Sequence, residues 1–399
     1  MISRSRVQQK VYFSAFDGFR AFAALVVFGW HYGGLPYGWA GVDFFFVLSG
    51  FLITGILFDS RNRMHRVRNF YVRRSLRIFP LFYLVLFATF AFAVLTHDQL
   101  SRAYALWPLY LGNYAQLIFR HRDIQTIGPI MVGHFWTLAI EEQFYLLWPA
   151  VVYAVADRKK LMRICVALVV LCPLMRMAGI LFFPAQSKAT DILFRGTMFR
   201  CDALLIGAFC ALAMRGPERG WLEKLARPMC LTFGGIFLAS ALANLVFWHV
   251  RESIAQQNWV LAYGLTCLDV TAAGVLLIIT RERSPLAQFF AWKPLQHLGK
   301  ISYGFYVYHA LFLGQYGWLV LRMEHRGISH LVAHGVGAVA FFVLSYGMAF
   351  LSFKFYEEYF IRLKDKLAGD ARPDDAHSGR SVTGMPAKSD EESLPERVG

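Results

Sequence analysis

Apolar runs of 15 to 23 residues recur along the chain, separated by short polar connections. Neither the narrow apolar stripe of a soluble helix nor the strict alternation of a half-buried strand describes them. About 20 apolar residues in a helix cross the hydrocarbon core of a bilayer. The pattern therefore predicts an all-α polytopic membrane protein with ten transmembrane helices, at residues 19–35, 40–58, 76–96, 143–156, 161–183, 199–214, 229–248, 259–280, 301–321 and 332–353. The fourth is short, and the helix carrying "TLAIEEQF" is expected to extend it from the N-terminal side. The stretch 103–120 is apolar but interrupted by Pro108, Gly112 and Asn113, so it is read as a re-entrant or surface-lying segment. From Gly369 the chain turns polar and loses its aromatic residues. The expected organisation is a membrane domain over 1–368 and a disordered cytoplasmic tail over 369–399, with no second folded domain after it. No internal repeat is visible.

Charge orients this map. If the N-terminus is cytoplasmic, the connections on that side hold 27 lysines and arginines against 9 on the other. Lysine and arginine concentrate in short cytoplasmic connections, so the bias predicts both termini inside. It also accounts for the net charge of +15 without nucleic acid as a partner. The composition, 57% hydrophobic and 17% charged, excludes an ordinary soluble domain. Six cysteines, mostly inside apolar runs and without a CxxC or Cys/His cluster, read as small buried side chains; neither disulfides nor a metal site is expected. The basic N-terminus is followed by Asp17 and Arg20 with no small-residue cleavage site, so no removed signal peptide is expected.

Ionisable groups at membrane depth are rare and usually functional. Five stretches carry them. In "FDGFRAFAALVVFGWH", Arg20 and His31 stand eleven residues apart. That is three helical turns, about 16 Å along one face. Asp17 lies one turn before Arg20. Arg20 either snorkels to the interface and pairs with Asp17 or touches a ligand. His31 is either a helix end among headgroups or a proton carrier suited to neutral pH. In "GWAGVDFFFVLSGFLITGIL", a short connection makes the second span an antiparallel neighbour of the first. Asp43 then falls at the depth of His31, where a carboxylate orients an imidazole and stabilises its protonated form. Ser49, Gly50 and Gly55 suit close packing and a ligand passage equally.

In "RNFYVRRSLRIFP", Arg73, Arg74 and Arg77 sit at a helix entrance, the last two on one face. They are topology determinants or a phosphate clamp. In "GHFWTLAIEEQFYLLWP", Glu141 and Glu142 occupy adjacent faces of an apolar helix, one available to a cavity and the other to structure; His134 is expected at the interface. In "LGKISYGFYVYHALF", His309 lies mid-span among Tyr303, Tyr306 and Tyr308, as a proton relay or as a helix–helix hydrogen bond.

Together these stretches resemble the membrane acyltransferase-3 family, integral-membrane acyltransferases that modify bacterial glycans. "FDGFRAFAALVVFGWH" is similar to its DGxR start and Arg-x10-His pattern, "GVDFFFVLSGFLIT" to its second-span block and "RRSLR" to its Arg-x-x-Arg pair. "FWTLAIEEQFYLLWP" is similar to its Glu-Glu-Gln-Phe-Tyr block, with Thr137 where serine is usual, and "LGKISYGFYVYH" to its late Ser-Tyr…His block. The resemblance spans residues 14 to 355. It implies a location in the bacterial inner membrane, an acyl-coenzyme A donor on the cytoplasmic side and a glycan hydroxyl as acceptor, lipid-linked or at the cell surface. Some relatives carry an extra extracytoplasmic hydrolase-like domain; none is seen here, which leaves the acceptor class open.

The resulting expectation is O-acyl transfer, with acetyl as the first choice. His31 is expected as general base, with Asp43 and Glu142 in catalysis. Arg20, Arg73, Arg74 and Arg77 are expected at the donor, and Asp17, Ser49, Glu141, Tyr303 and His309 as further motif positions. No permanently bound cofactor is expected, since acyl-coenzyme A is a substrate. Two other readings stand beside this one: a proton-coupled transporter, and an acyltransferase for a small lipophilic molecule. The absence of a repeat and of paired broken spans weighs against a transporter.

Overall fold

The computed structural model describes residues 14–98, 100–119, 125–182, 188–247, 257–281 and 283–368. The tail expected from residue 369 lies outside them. Helices dominate. α1 is Ser14–Gly33, α2 Gly41–Asp59, α3 Arg66–Leu95, α4 Ala115–Ile118, α5 Trp136–Ala154, α6 Arg158–Phe182, α7 Lys188–Arg195 and α8 Thr197–Ala213. α9 is Arg219–Phe247, α10 Leu265–Ile279, α11 Pro285–Phe290, α12 Lys293–Lys300, α13 Ser302–His309, α14 Leu313–Glu324, α15 His330–Ser352 and α16 Glu358–Leu367. A two-stranded antiparallel ribbon, β1 Thr126–Ile127 and β2 Ile130–Met131, precedes α5.

Among the described residues, seven helices are long and apolar enough to cross a membrane: Gly38–Asp59, Arg66–Leu95, Arg158–Phe182, Asp191–Ala213, Arg219–Val246, Val260–Ile279 and His330–Lys364. The other three expected spans differ in kind. α1 and α5 are single helices of 20 and 19 residues whose charged groups dilute their apolar runs. α5 begins at Trp136, so it carries both glutamates, as the sequence predicts. The stretch 301–321 is not one helix: α13 stops at His309 and α14 starts at Leu313. Of the stretch 103–120, the described residues 103–119 form short 3₁₀ turns and α4 rather than a span.

Ion pairs and hydrogen bonds gather the basic connections at one end of the bundle. Asp59 pairs with Arg215 at 2.6 Å, Arg158 with Glu218 at 2.7 Å, and Arg281 approaches Glu223 at 3.7 Å. Arg61 donates to the Ala156 carbonyl at 2.7 Å. Four connections that the charge pattern assigns to one side thus touch one another. At the opposite end, the Asn244 amide donates to Tyr37 at 3.0 Å and Asn113 to the Arg195 carbonyl at 3.1 Å.

A close crossing joins α2 and α8. A Cβ on Gly50 would run into the Leu204 carbonyl, and one on Gly207 into the Val47 carbonyl. Each helix therefore offers a glycine to the other's backbone. Without a hydrophobic force between helices in lipid, such backbone approach is a main source of association. Gly50 therefore belongs to packing, while its neighbour Ser49 faces a cavity. Gly207→Ala is expected to cost about 1–3 kcal/mol, the usual penalty for overpacking. The check is the unfolding temperature of the detergent-purified protein; an unchanged temperature would show that the crossing relaxes freely.

Candidate active site

Residues distant in sequence converge on one cavity between α1, α2, α3, α5 and α13. Arg20, Arg74 and Arg77 line it together with Glu141 and Glu142. Arg20 is pinned by Asp17 one turn earlier, at 2.7 Å, yet still faces the cavity, so pairing and lining coexist. The Arg74 guanidinium lies over the Tyr145 ring, 5.5 Å from its centre. Tyr145 in turn donates to Glu141 at 3.2 Å and accepts from the Ser49 hydroxyl. Both glutamates border the space, where the sequence suggested a division between them. Glu141 is held by Tyr145, whereas Oε1 of Glu142 is buried without a partner. Tyr303 lines the same cavity and is fixed by donating to the Ile78 carbonyl at 2.7 Å. Arg73 does not join its two neighbours at the wall: it reaches the Ala368 carbonyl at 2.5 Å. One helical turn separates Arg74 from Arg77, while Arg73 points off that face.

Beyond the cavity lies a cluster of three histidines built on a helix end. The last carbonyls of a helix have no partner within it. Where α13 stops, side chains take up three of them. His309 Nδ1 binds the Tyr306 carbonyl at 2.6 Å, and His134 Nε2 binds the Val307 carbonyl at 3.0 Å. The Tyr32 hydroxyl donates to the carbonyl of His309 itself. A carbonyl only accepts, so His309 must carry its proton on Nδ1 and leave Nε2 as an acceptor. His31 Nδ1 lies 3.0 Å from that Nε2 and must therefore donate to it. The proton order is thereby set, and Nε2 of His31 keeps its lone pair. His31 is half-buried and His309 fully buried. Both imidazoles occupy the last turn of a helix, where the negative end of the peptide dipoles favours a cation.

Two sequence expectations change here. His134 is buried rather than interfacial, its ring 5.5 Å from that of His309. Asp43 does not hold His31. It pairs with Arg200 at 2.6 Å, both side chains being almost fully buried. Equal depth on neighbouring helices did not give equal azimuth, and the long Arg200 side chain on α8 reached Asp43 first. The imidazole is oriented by a second imidazole instead.

The two regions meet at Tyr306. Its hydroxyl contacts Thr137 Oγ1 at 2.7 Å and the His134 carbonyl at 3.2 Å, and its ring lines the cavity. Its own carbonyl fixes His309. One residue thus links the cationic cavity to the imidazole pair.

Residues 13–347 match the sequence pattern of a protein family described as an acyltransferase domain. The chain belongs to that family. It is 33% identical to YrhL of Bacillus subtilis over 76% of its own length and 49% of that protein. It is 30% identical to the peptidoglycan O-acetyltransferase OatA of Listeria monocytogenes over 77% of its length and 50% of that protein. With the O-acetyltransferase OatA of Staphylococcus aureus the identity is 29%, over 75% and 50%. The chain thus spans about half the length of the curated relatives it matches. No solved structure matches it significantly.

In this member of the acyltransferase family, a second polar group went unnoticed in sequence. Arg176 on α6 pairs with Asp202 on α8 at 2.8 Å and donates to the Leu261 carbonyl at 2.8 Å. Arg200 is boxed by Phe194, Trp136 and Phe46, with its guanidinium 4.9 Å from the first ring. Asp269 on α10 interacts electrostatically with Asp43, Asp202, Arg176 and Arg200. The run "FRCDALL" signals this group, because two opposite charges stand inside an apolar span. Removing one partner of a buried pair strands a charge. Asp43→Ala is expected to cost about 3–5 kcal/mol, and Asp43→Leu combined with Arg200→Met to recover most of the loss. Thermal unfolding in detergent measures both; equal losses in single and double variants would mean that Asp43 acts through something other than Arg200.

Proposed function

We propose that the protein is an integral-membrane O-acyltransferase that moves an acetyl group from acetyl-coenzyme A to a hydroxyl of a cell-envelope glycan. The observation that carries this reading is the pairing of a three-arginine cavity with an imidazole whose Nε2 is kept as a base. Arg74 and Arg77, with Arg20 beside them, suit the phosphates of coenzyme A, since guanidinium groups pair bidentately with phosphate oxygens. The basic connections gathered at one end support a cytoplasmic side for this donor. The thin pantetheine arm runs past Ser49 toward Tyr306.

A sugar hydroxyl does not ionise near neutral pH, so it needs a base while it attacks the thioester. His31 Nε2 takes the hydroxyl proton as the oxygen bonds to the carbonyl carbon. The tetrahedral centre collapses, the carbon–sulfur bond breaks, and the proton returns from His31 to the departing sulfur. The products are an acetyl ester and free coenzyme A thiol. During this cycle the imidazole is briefly a cation. His309 Nε2 and the two helix ends stabilise that cation, in the place a carboxylate fills in a catalytic triad. The family membership and the named relatives support acyl transfer and a cell-wall glycan as the acceptor class. The pocketed arginines favour this reading over a proton-coupled transporter, which has no use for a phosphate clamp.

The test uses the purified protein with acetyl-coenzyme A and soluble glycan fragments, the acetylated product being counted by mass spectrometry. His31→Ala is expected to lower kcat by about 10²–10⁴, the range for a lost general base. A normal rate in correctly inserted His31→Ala protein would end the assignment. Arg74→Ala with Arg77→Ala is expected to raise KM for acetyl-coenzyme A by more than tenfold while leaving KM for S-acetylpantetheine, which lacks the nucleotide, unchanged. Equal effects on the two donors would reduce the arginines to topology markers.

A further inference from the structure

The connection between α14 and α15 brings together three metal-ligating side chains that the transfer chemistry does not use. Glu324 is the last residue of α14 and His330 the first of α15. Gly327 turns the chain between them with a φ of 83°, a conformation costly for any residue with a Cβ. His330 and His334 are one helical turn apart on the same face, and their rings lie 4.2 Å from centre to centre. One ligand atom from each of Glu324, His330 and His334 falls within 4.8 Å of the others. Ligand atoms of a tetrahedral zinc ion bound at about 2.0–2.2 Å stand about 3.3–3.6 Å apart. Small side-chain rotations therefore close the set on an ion.

A second observation concerns tautomers. The Tyr316 hydroxyl lies 2.7 Å from the carbonyl of Tyr32 and 2.7 Å from Nδ1 of His334. Its single proton goes to the carbonyl, which cannot donate. His334 must then donate its Nδ1 proton to the Tyr316 oxygen, which leaves Nε2 free with its lone pair. Metal-bound histidines commonly show this arrangement, with one nitrogen on the metal and the other donating to a neighbour that sets the ring. The Glu324 carboxylate is within 2.6 Å of His330 Nδ1 and supplies negative charge to the site. The His330 side chain is 79% exposed, so an ion can enter without opening the bundle.

We propose that Glu324, His330 and His334 form a site for a divalent transition metal of the zinc class, with Tyr316 as its positioning residue and water as the fourth ligand. Two imidazoles and one carboxylate select such ions over magnesium and calcium, which prefer all-oxygen surroundings. The site departs from the sequence expectation of no metal, which passed over the H-x-x-x-H spacing of His330 and His334.

The experiment titrates Co²⁺ into the full-length protein, purified in detergent through a tag without histidine, and records the visible absorption of four-coordinate cobalt. One equivalent is expected to saturate the signal, Zn²⁺ to displace it and Mg²⁺ to leave it. His330→Ala with His334→Ala is expected to abolish the signal, and Glu324→Gln, a nearly isosteric change at the helix end, to weaken binding more than tenfold. Tyr316→Phe removes only the group that sets the His334 ring, and is expected to weaken binding by about 10–100-fold. His31→Ala, in the other histidine cluster, is expected to leave the signal intact. Absence of a saturable one-equivalent signal overturns the site, as does unchanged binding in Glu324→Gln or in the double variant. Unchanged binding in Tyr316→Phe overturns the role of Tyr316.

Discussion

The hydrogen bond between His31 and His309 depends on a helix that stops early. Had 301–321 continued as one span, the carbonyls of Tyr306, Val307 and His309 would have been consumed by the helix itself. Because α13 ends at His309, those oxygens are free to accept, and three side chains compete to satisfy them. Two are histidines. Their tautomers follow from being donors to carbonyls, and the tautomer of His31 follows from His309. In hydrocarbon an unsatisfied carbonyl costs several kcal/mol, so the arrangement is enforced by the same rule that makes membrane proteins helical. Stability and the proton order of the imidazole pair come from the same polar contacts.

Much of this was legible in the chain and some of it was not. The apolar runs gave the helical class directly, and the lysine and arginine bias grouped connections that do touch, as Asp59–Arg215 and Arg158–Glu218 show. The spacing of Arg20 and His31 marked one face of α1, and Arg20 does line the cavity. The break after His309 was invisible, because "YHALFLG" holds no proline and its glycine comes too late to punctuate the helix. The partner of Asp43 was also out of reach. Neighbouring antiparallel helices fix depth, but which way a side chain points depends on the rotation of each helix about its axis. That rotation is a tertiary fact, bound up here with the backbone contacts of Gly50 against Leu204 and of Gly207 against Val47.

The buried ion pairs on α6 and α8 serve a different purpose from the arginines of the cavity. Arg176 and Arg200 are each nearly sealed from solvent. Arg74 and Arg77 remain half-buried at the edge of open space. Residues of one chemical type thus divide into those that fasten helices and those left available. Asp202 and Asp43 hold the first two in direct pairs at 2.8 and 2.6 Å, whereas Arg74 and Arg77 share a cavity wall with Glu141 and Glu142.

The contact between Tyr306 and Thr137 has a consequence for how the cavity and the histidine cluster are held together. At this contact the two hydroxyls lie against each other and both reach the carbonyl of His134. The hydroxyls and that carbonyl form one three-membered set of contacts, so α13 is tied at this point to α5 and to the turn before it. The helix that carries His309 is thereby fastened to the helix that carries both glutamates, and the imidazoles and the cavity keep one fixed relation.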